Sequence, residues 1–321
     1  MTSRVKSALA RMQAQPFPDG PPADSELATF PQGLRGTSIP AASPVHGRRR
    51  AVSRRAVLVG GLATAVAATS IAVPSLLGGG TAAYAFTPEM LTYTPVAQSA
   101  RDVLGNLAAR AREQPAAQAG GPYHYMHQRG WYLGVAGDTE GRILSSGINE
   151  IIREQWIAPD GSGRLRRDDG RSAVSDEHFG PGGLFAGFVR EGGMPEVIRP
   201  SGNGGKDAVG VLRAAADLWG RQVLSPRQQA DLLLILADQA GLSVLGDTTD
   251  RAGRVGVAIG AEHRGGAGER LVLVFAPSTG ALLDVESIVL KDSDLPVKAP
   301  ATIEYTVWLA TGHTSSLQSR L

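Results

Sequence analysis

The sequence contains no cysteine among its 321 residues. Disulfide bridges and thiolate metal sites are therefore excluded. A membrane anchor attached through a lipid-modified cysteine is excluded as well, so any attachment to a membrane must come from the peptide itself.

The short motifs that mark common catalytic sites are also missing. There is no His-Glu-x-x-His zinc motif and no Gly-x-Ser-x-Gly nucleophile elbow. The stretch Pro200–Asp207 resembles a phosphate-binding loop, but it has Pro where that loop requires Gly and Asp where it requires Ser or Thr. His124 and His127 lie three apart on a predicted strand and so point to opposite faces, which prevents them from chelating one metal. We predict no catalytic residue, no metal and no cofactor.

Positive charge is unevenly distributed along the chain. Residues 1–55 hold nine Lys and Arg against three Asp and Glu, whereas residues 86–321 hold 23 against 27. An uncharged apolar run, residues 56–77, separates these parts, and no Lys or Arg follows it until Arg101. The positive-inside bias then predicts a cytoplasmic N-terminus and an extracytoplasmic C-terminal part. Nucleic acid is not a predicted partner, because no basic stripe with interleaved aromatic residues is present. The arginines that set the predicted topology are Arg48, Arg49, Arg50, Arg54 and Arg55.

The apolar run has 22 residues, and a helix of that length spans roughly 33 Å, enough to cross a bilayer. A single-pass anchor is our main interpretation, with the lipid bilayer as its partner. The alternative is a cleaved export signal: Ser53–Val59 resembles the twin-arginine signature, and Ala83 and Ala85 form a small-x-small cleavage site. A buried helix of a soluble domain is a third possibility. Both leading interpretations export the same C-terminal domain.

These observations divide the chain into three parts. Residues 1–47 contain seven prolines and little apolar periodicity, which predicts a disordered cytoplasmic tail. Residues 48–85 form the basic flank and the anchor or export signal. Residues 86–321 form the extracytoplasmic domain.

The pattern within residues 86–321 alternates between helix and strand signals. We predict helices over 99–114, 209–223 and 225–240, the last with Ser225 as its N-cap and Gln228 completing a capping box. Strands are predicted over 123–134, 254–259, 269–275, 281–290 and 301–309, with a hairpin over 150–167. The short, turn-rich connections favour an antiparallel meander. The predicted fold class is α+β, with a few helices packed on a curved antiparallel sheet.

Two groups of side chains are candidates for a functional site. Aromatic residues are the stronger candidate, since they could line an apolar hollow for a lipid or peptide; core packing is the alternative. The weaker candidate is the acidic group at 168, 169, 176 and 177 with His178, which could serve acid–base chemistry or bind calcium, or could be a solvated loop. The aromatic candidates are Tyr123, Tyr125, Trp131, Trp156, Phe185, Phe188 and Trp308.

Several stretches together resemble an uncharacterised actinobacterial family of single-pass membrane proteins. They are EQWIAPDGSGRLRR, LLLILADQAGLSVLGDTTDRAGRVGVAI, VLVFAPSTGALLDVE and IEYTVWLATG. The family pattern matches at Trp156, at Gly241, at Asp250 with Gly253 and Arg254, and at Thr279 with Gly280. It departs at Ala240, where Pro is common, and at Ala276, where Asp is common.

The resemblance covers residues 48–321 and implies a location and an architecture, with no catalytic residues to carry over. By analogy with other single-pass regulators, it suggests a regulatory protein partner in sigma-factor signalling. The sequence therefore predicts a membrane-tethered, non-enzymatic extracytoplasmic domain that senses or binds a ligand. The alternative is a secreted hydrolase released after Ala85.

Overall fold

The computed structural model describes residues 87–115, 120–137, 143–184, 188, 193, 207–263, 265 and 268–321. The predicted tail, the arginine flank, the apolar run and the predicted cleavage site lie outside these residues. Among the described residues, no helix is both long and apolar enough to cross a bilayer.

The described residues form three helices and nine strands. The helices are α1 (Ala100–Glu113), α2 (Ala208–Trp219) and α3 (Pro226–Ala237). The first four strands are β1 (Tyr123–Gly137), β2 (Ile143–Ile157), β3 (Gly163–Asp168) and β4 (Ser175–Phe179). The others are β5 (Ser243–Thr249), β6 (Val255–His263), β7 (Glu269–Phe275), β8 (Leu282–Val289) and β9 (Ala301–Thr314).

All nine strands belong to one sheet, in the order β4-β3-β2-β1-β9-β8-β7-β6-β5. Each neighbouring pair is antiparallel. The sheet thus consists of two meanders, β1–β4 and β5–β9, that join where the first strand pairs with the last. The predicted α+β class and the meander of the C-terminal third are confirmed.

The helices begin where the sequence provides caps. The Ser99 side chain accepts a hydrogen bond from the Asp102 amide at the start of α1. At the start of α3, Ser225 and Gln228 form the predicted capping box, with Pro226 in the first turn. Such caps satisfy amides that have no partner within the helix.

One face of the sheet packs against the helices, and we call it the helical face. Ile259, Leu273, Phe275 and Trp308 contribute to this core, together with apolar residues of all three helices. The opposite face, which we call the reverse face, carries Ala258, Val272, Val274 and Ile288 as a second buried cluster. Both faces are apolar here, because side chains point alternately to the two sides of each strand.

The reverse face of the second meander is covered by the segment just after the apolar run. Leu91 and Tyr93 pack on its buried cluster. The amide of Thr94 and that of Asp247 each donate to the other's carbonyl at 2.8 Å. At Gly246, φ is +133° and an added Cβ would lie 2.2 Å from the Thr94 carbonyl oxygen, so only glycine allows this close approach. We call residues 87–98 the N-terminal strap.

Two strands were not predicted from the sequence. β4 contains Asp176, Glu177 and His178, residue types that are uncommon in strands, and it lies at one edge of the sheet. β5 contains Gly246 and Asp247 and lies at the other edge. The helices also end earlier than predicted, α2 at Trp219 and α3 at Ala237.

Candidate binding face of the sheet

Three of the predicted aromatic residues lie on the reverse face. Tyr125 and Trp156 are directly opposite each other across β1 and β2, with ring centroids 5.1 Å apart. Trp131 follows on β1 and stacks on Tyr305 of β9 at 6.2 Å. Tyr125 is 1% exposed, Trp156 0% and Trp131 4%, so their rings are part of the packed interior.

The other predicted aromatic residues lie elsewhere. Trp308 belongs to the helical face, where its indole N–H donates to the Trp219 carbonyl at 3.3 Å. Phe188 stacks on His124 at 4.0 Å. Tyr123 begins β1 and is half-buried, while Phe185 lies outside the described residues. The structure therefore divides this set between two faces of the sheet.

A charged centre lies beside the Tyr125–Trp156 pair. The carboxylate of Glu154 accepts hydrogen bonds from the Tyr125 hydroxyl at 2.9 Å and from Arg166 at 3.0 Å. Arg320 adds two more, from Nε at 2.5 Å and from Nη2 at 2.8 Å. Burial by itself would raise the pKa of this carboxyl, but these hydrogen bonds lower it to about 2. Glu154 is therefore a buried carboxylate that is ionised at neutral pH.

The last residues of the chain cover the same aromatic pair. The indole N–H of Trp156 donates to the Ser319 carbonyl at 2.7 Å, and Arg164 donates to the Leu317 carbonyl at 3.0 Å. The Arg164 guanidinium also lies over the Trp156 ring, 5.0 Å from its centroid. We call residues 315–321 the C-terminal tail. It lies over Trp156, which has no exposed surface.

A second charged centre lies on the reverse face at β8. Asp284 and Glu286 are both 0% exposed, and the β5–β6 turn supplies Arg251 to them. The Arg251 amide donates to Asp284 at 3.1 Å and its Nε donates to Glu286 at 2.6 Å. Its guanidinium also lies 5.1 Å from the Tyr305 ring centroid. Burial raises the pKa of both carboxyls, and that of Asp284 is raised further by Glu286.

Asp250 organises the turn that presents Arg251. Its side chain accepts from the amides of Ala252 at 2.9 Å and of Arg254 at 2.7 Å. It also forms a salt bridge with the Arg254 guanidinium at 2.5 Å. The Asp-x-x-Gly-Arg pattern singled out in the sequence thus closes a turn.

Polar atoms around this second centre are incompletely satisfied. Four buried atoms there have no hydrogen-bond partner within the part of the chain that the structure describes: Tyr93 Oη, Arg129 Nε, Arg251 Nη2 and Asp284 Oδ1. A buried polar atom without a partner carries a desolvation cost. The Glu154 carboxylate, by contrast, accepts four hydrogen bonds.

Two of the acidic candidates near β4 are engaged in ion pairs, whereas Asp168 and Asp169 accept hydrogen bonds from backbone amides of the loop that follows β3. Asp176 forms a two-pronged pair with Arg164, at 2.7 and 2.5 Å, and Glu177 pairs with Arg167 at 3.0 Å. His178 is exposed on the same strand. Over the described ranges there is no group of three or more His, Asp or Glu residues that could hold a metal ion.

Sequence reasoning placed Tyr125 and Trp156 in one aromatic set without predicting that they pair, and it missed both charged centres. Alternation along the predicted strand 123–134 puts Tyr125 and Trp131 on one face, since side chains two apart share a face, and the structure agrees. The sequence signals for the second centre are the pair of acidic residues two apart in the apolar strand LLDVESIV, residues 282–289, and the Asp-x-x-Gly-Arg pattern of the turn that carries Arg251. Nothing local indicates that Arg320 reaches Glu154, because 166 positions separate them.

Comparisons with known proteins add little beyond this geometry. No protein-family model matches the chain, and no curated protein matches it. Among solved structures, the chain is similar to MucB in complex with MucA(peri), with 16% identity and a TM-score of 0.29. It is also similar to the MucA/MucB complex of Pseudomonas aeruginosa and to MucB, each with 18% identity and a TM-score of 0.26.

Each match covers 69% of this chain, which spans only 60%, 61% and 62% of the three matched chains. TM-scores this far below 0.5 support no inference about a partner, a location or a site.

Proposed function

We propose that the chain is a membrane-tethered, extracytoplasmic domain that binds a regulatory protein or peptide and has no catalytic activity of its own. The observation that carries this proposal is the charge asymmetry about the apolar run. Five arginines precede the run closely, and none follows until Arg101. Such an asymmetry retains the basic flank in the cytoplasm while the downstream domain crosses the membrane.

The N-terminal strap supports a tether rather than a loose linker. The run ends at Leu77, and the chain is fixed to the sheet from Leu91 onward. The intervening residues reach at most about 50 Å when fully extended. The domain would therefore work close to the membrane surface, within reach of a partner that is itself anchored there.

The chemistry of the described charged groups favours binding over catalysis. Glu154 has four donors from three residues, and the Arg251 turn covers Asp284 and Glu286. Asp176 and Glu177 are held by arginines. These carboxylates position segments of the chain, which is the work expected of a scaffold for recognition.

Fractionation of cells that express the full chain with a C-terminal epitope tag tests the proposal. We expect the tag in the membrane fraction, degraded by protease added to cells whose outer layers are permeabilised, with the original N-terminus still attached. Detection of a mature protein that begins at Phe86 would show that the apolar run is cleaved off and that the domain is secreted rather than tethered. A tag protected inside the cytoplasm would overturn the proposal entirely.

A further inference from the structure

The geometry points to a peptide-binding site at the Tyr125–Trp156 pair, occupied here by the C-terminal tail. We propose that an arginine-containing segment of the partner protein binds there in place of the tail. This inference rests on the proposed binding function and names the chemistry of its partner.

The first observation is that the site recognises main-chain carbonyls. Trp156 and Arg164 donate to the carbonyl oxygens of Ser319 and Leu317. These two contacts are made to the backbone, which every peptide has, and the turn that presents the carbonyls is held by hydrogen bonds of Ser316 and Ser319. Another segment that adopts the same turn can form them.

The second observation is that the sheet recognises one side chain of the tail specifically. Arg320 places Nε and Nη2 on the two oxygens of Glu154, the fork geometry in which arginine matches a carboxylate. Tyr125 and Arg166 hold this carboxylate from other directions, so the acceptor is oriented independently of the tail. The Glu154 side chain is 4% exposed, whereas that of Arg320 is 56% exposed. The acceptor is thus built into the sheet, and the arginine is supplied from the surface.

The third observation concerns how weakly the rest of the tail is held. Ser315, Gln318 and Leu321 are exposed, Leu321 by 65%. The tail also turns back on itself, because the Ser319 amide donates to the Ser316 carbonyl at 3.3 Å. Beside the Arg320–Glu154 pair, the described polar contacts of the tail with the sheet are hydrogen bonds to its carbonyls, which contribute modestly in competition with water.

The Tyr125–Trp156 pair stays buried only while a segment of peptide lies over it. Trp156 has no exposed area, and a side chain of this size gains much of its stabilisation from burial. Loss of the tail without a replacement would expose part of this aromatic pair. A partner segment that restores the carbonyl contacts and the arginine removes that cost, so exchange of one peptide for another is favoured over simple opening.

A direct test uses the full chain, purified in detergent. The probe is a fluorescent synthetic peptide with the sequence of residues 314–321, and its control is the same peptide with alanine in place of the arginine. The Arg320→Ala chain, whose own tail no longer reaches Glu154, should bind the arginine peptide at least tenfold more tightly than the wild-type chain. The Arg110→Ala chain is the matched control, since Arg110 forms an exposed ion pair with Glu113. Glu154→Gln added to Arg320→Ala should reduce binding to that of the alanine peptide.

A second measurement does not depend on the Arg320→Ala chain folding normally. A nitroxide attached to Gln318→Cys in the otherwise wild-type chain reports on tail mobility. Arginine peptide at saturating concentration should produce a mobile spectrum, and the alanine peptide should leave the spectrum unchanged.

Several results would overturn the inference. They are equal binding of the two peptides and a label that stays immobile at saturation; if the Arg320→Ala chain unfolds, the nitroxide measurement alone decides. Wild-type chains that dimerise by exchanging tails would make a second copy the occupant, also against the inference. Because these measurements use purified protein, they are independent of the membrane location, so failure of one proposal is distinguishable from failure of the other.

Discussion

Glu154 and Asp284 are both buried on the reverse face, yet burial affects their protonation in opposite ways. At Glu154, the donors from Arg320, Tyr125 and Arg166 more than compensate for desolvation, and its pKa falls to about 2. At Asp284, desolvation and the nearby Glu286 outweigh the Arg251 amide, and its pKa rises. The difference lies in the number of hydrogen bonds that favour the charged form.

Glu154→Gln should therefore destabilise the domain in a pH-dependent way. A lowered pKa in the folded state stabilises the fold above the ordinary value of 4.5, and that stabilisation is lost as pH falls toward 2. We expect a loss of about 2 kcal/mol in the free energy of unfolding at pH 7, shrinking as pH falls below 4. Urea unfolding followed by tryptophan fluorescence measures it. Glu113→Gln, on the exposed side of α1, is the control, and an equal loss at every pH would contradict the assignment.

Asp284→Asn should show the opposite dependence. Because the pKa of Asp284 is raised in the folded state, the unfolded chain ionises first, and wild-type stability falls as pH rises above 3.8. Asparagine cannot ionise, so the variant should unfold at higher urea concentration than wild type at pH 7 and at the same concentration at pH 3. The control is Asp247→Asn at the exposed edge strand. A variant less stable than wild type at pH 7 would show that the Asp284 charge is needed.

At the scale of elements, the sequence correctly predicts the helices and strands whose local sequence signals agree with their packing. α1 and α3 are found because caps and apolar spacing coincide in the same segments. β7 is found with its bounds intact, because five of the seven residues of ERLVLVF are apolar and these five are buried on the two faces of the sheet. The sequence does not predict β4, because an edge strand needs little apolar surface and the charged residues of β4 are typical of a loop.

The N-terminal strap is an element whose position depends on one glycine. Gly246→Ala should destabilise the domain by about 2–3 kcal/mol, because the new Cβ meets the Thr94 carbonyl oxygen and the positive φ becomes strained. Thermal unfolding measures the loss, and faster amide exchange at Thr94 and Asp247 locates it. Gly147→Ala on β2 is the matched control, since no atom of the described residues lies within 4 Å of its added Cβ. Equal behaviour of the two variants would show that the strap tolerates displacement.

At the scale of the whole molecule, the candidate site shows where sequence reasoning stops. Alternation on β1 identifies the aromatic side of the strand, since it needs only the period of two. The cover over that side does not follow from any local pattern. It arises because the join of β1 to β9 brings the tail back over β2, so Arg320 meets Glu154 only once the entire sheet is assembled.

If the apolar run is an anchor, the orientation of the chain across the membrane should depend on the positive charges beside the run. Replacing Arg48, Arg49, Arg50, Arg54 and Arg55 by Gln removes the positive charges adjacent to the run, and we expect a severalfold drop in the fraction of chains whose C-terminal domain is accessible to external protease. The other basic residues of the predicted cytoplasmic tail, residues 1–47, lie too far from the apolar run to replace these five arginines fully.

A charge-preserving variant separates the anchor from an export signal. Arg54→Lys with Arg55→Lys keeps the charge that determines orientation, but it alters the twin-arginine pair, which is read by a receptor as an address. An anchored chain should keep its protease accessibility and its membrane association in this variant. Loss of export in the lysine variant, with the precursor accumulating inside the cell, would instead identify the twin-arginine route, because that route distinguishes arginine from lysine whereas the positive-inside bias does not.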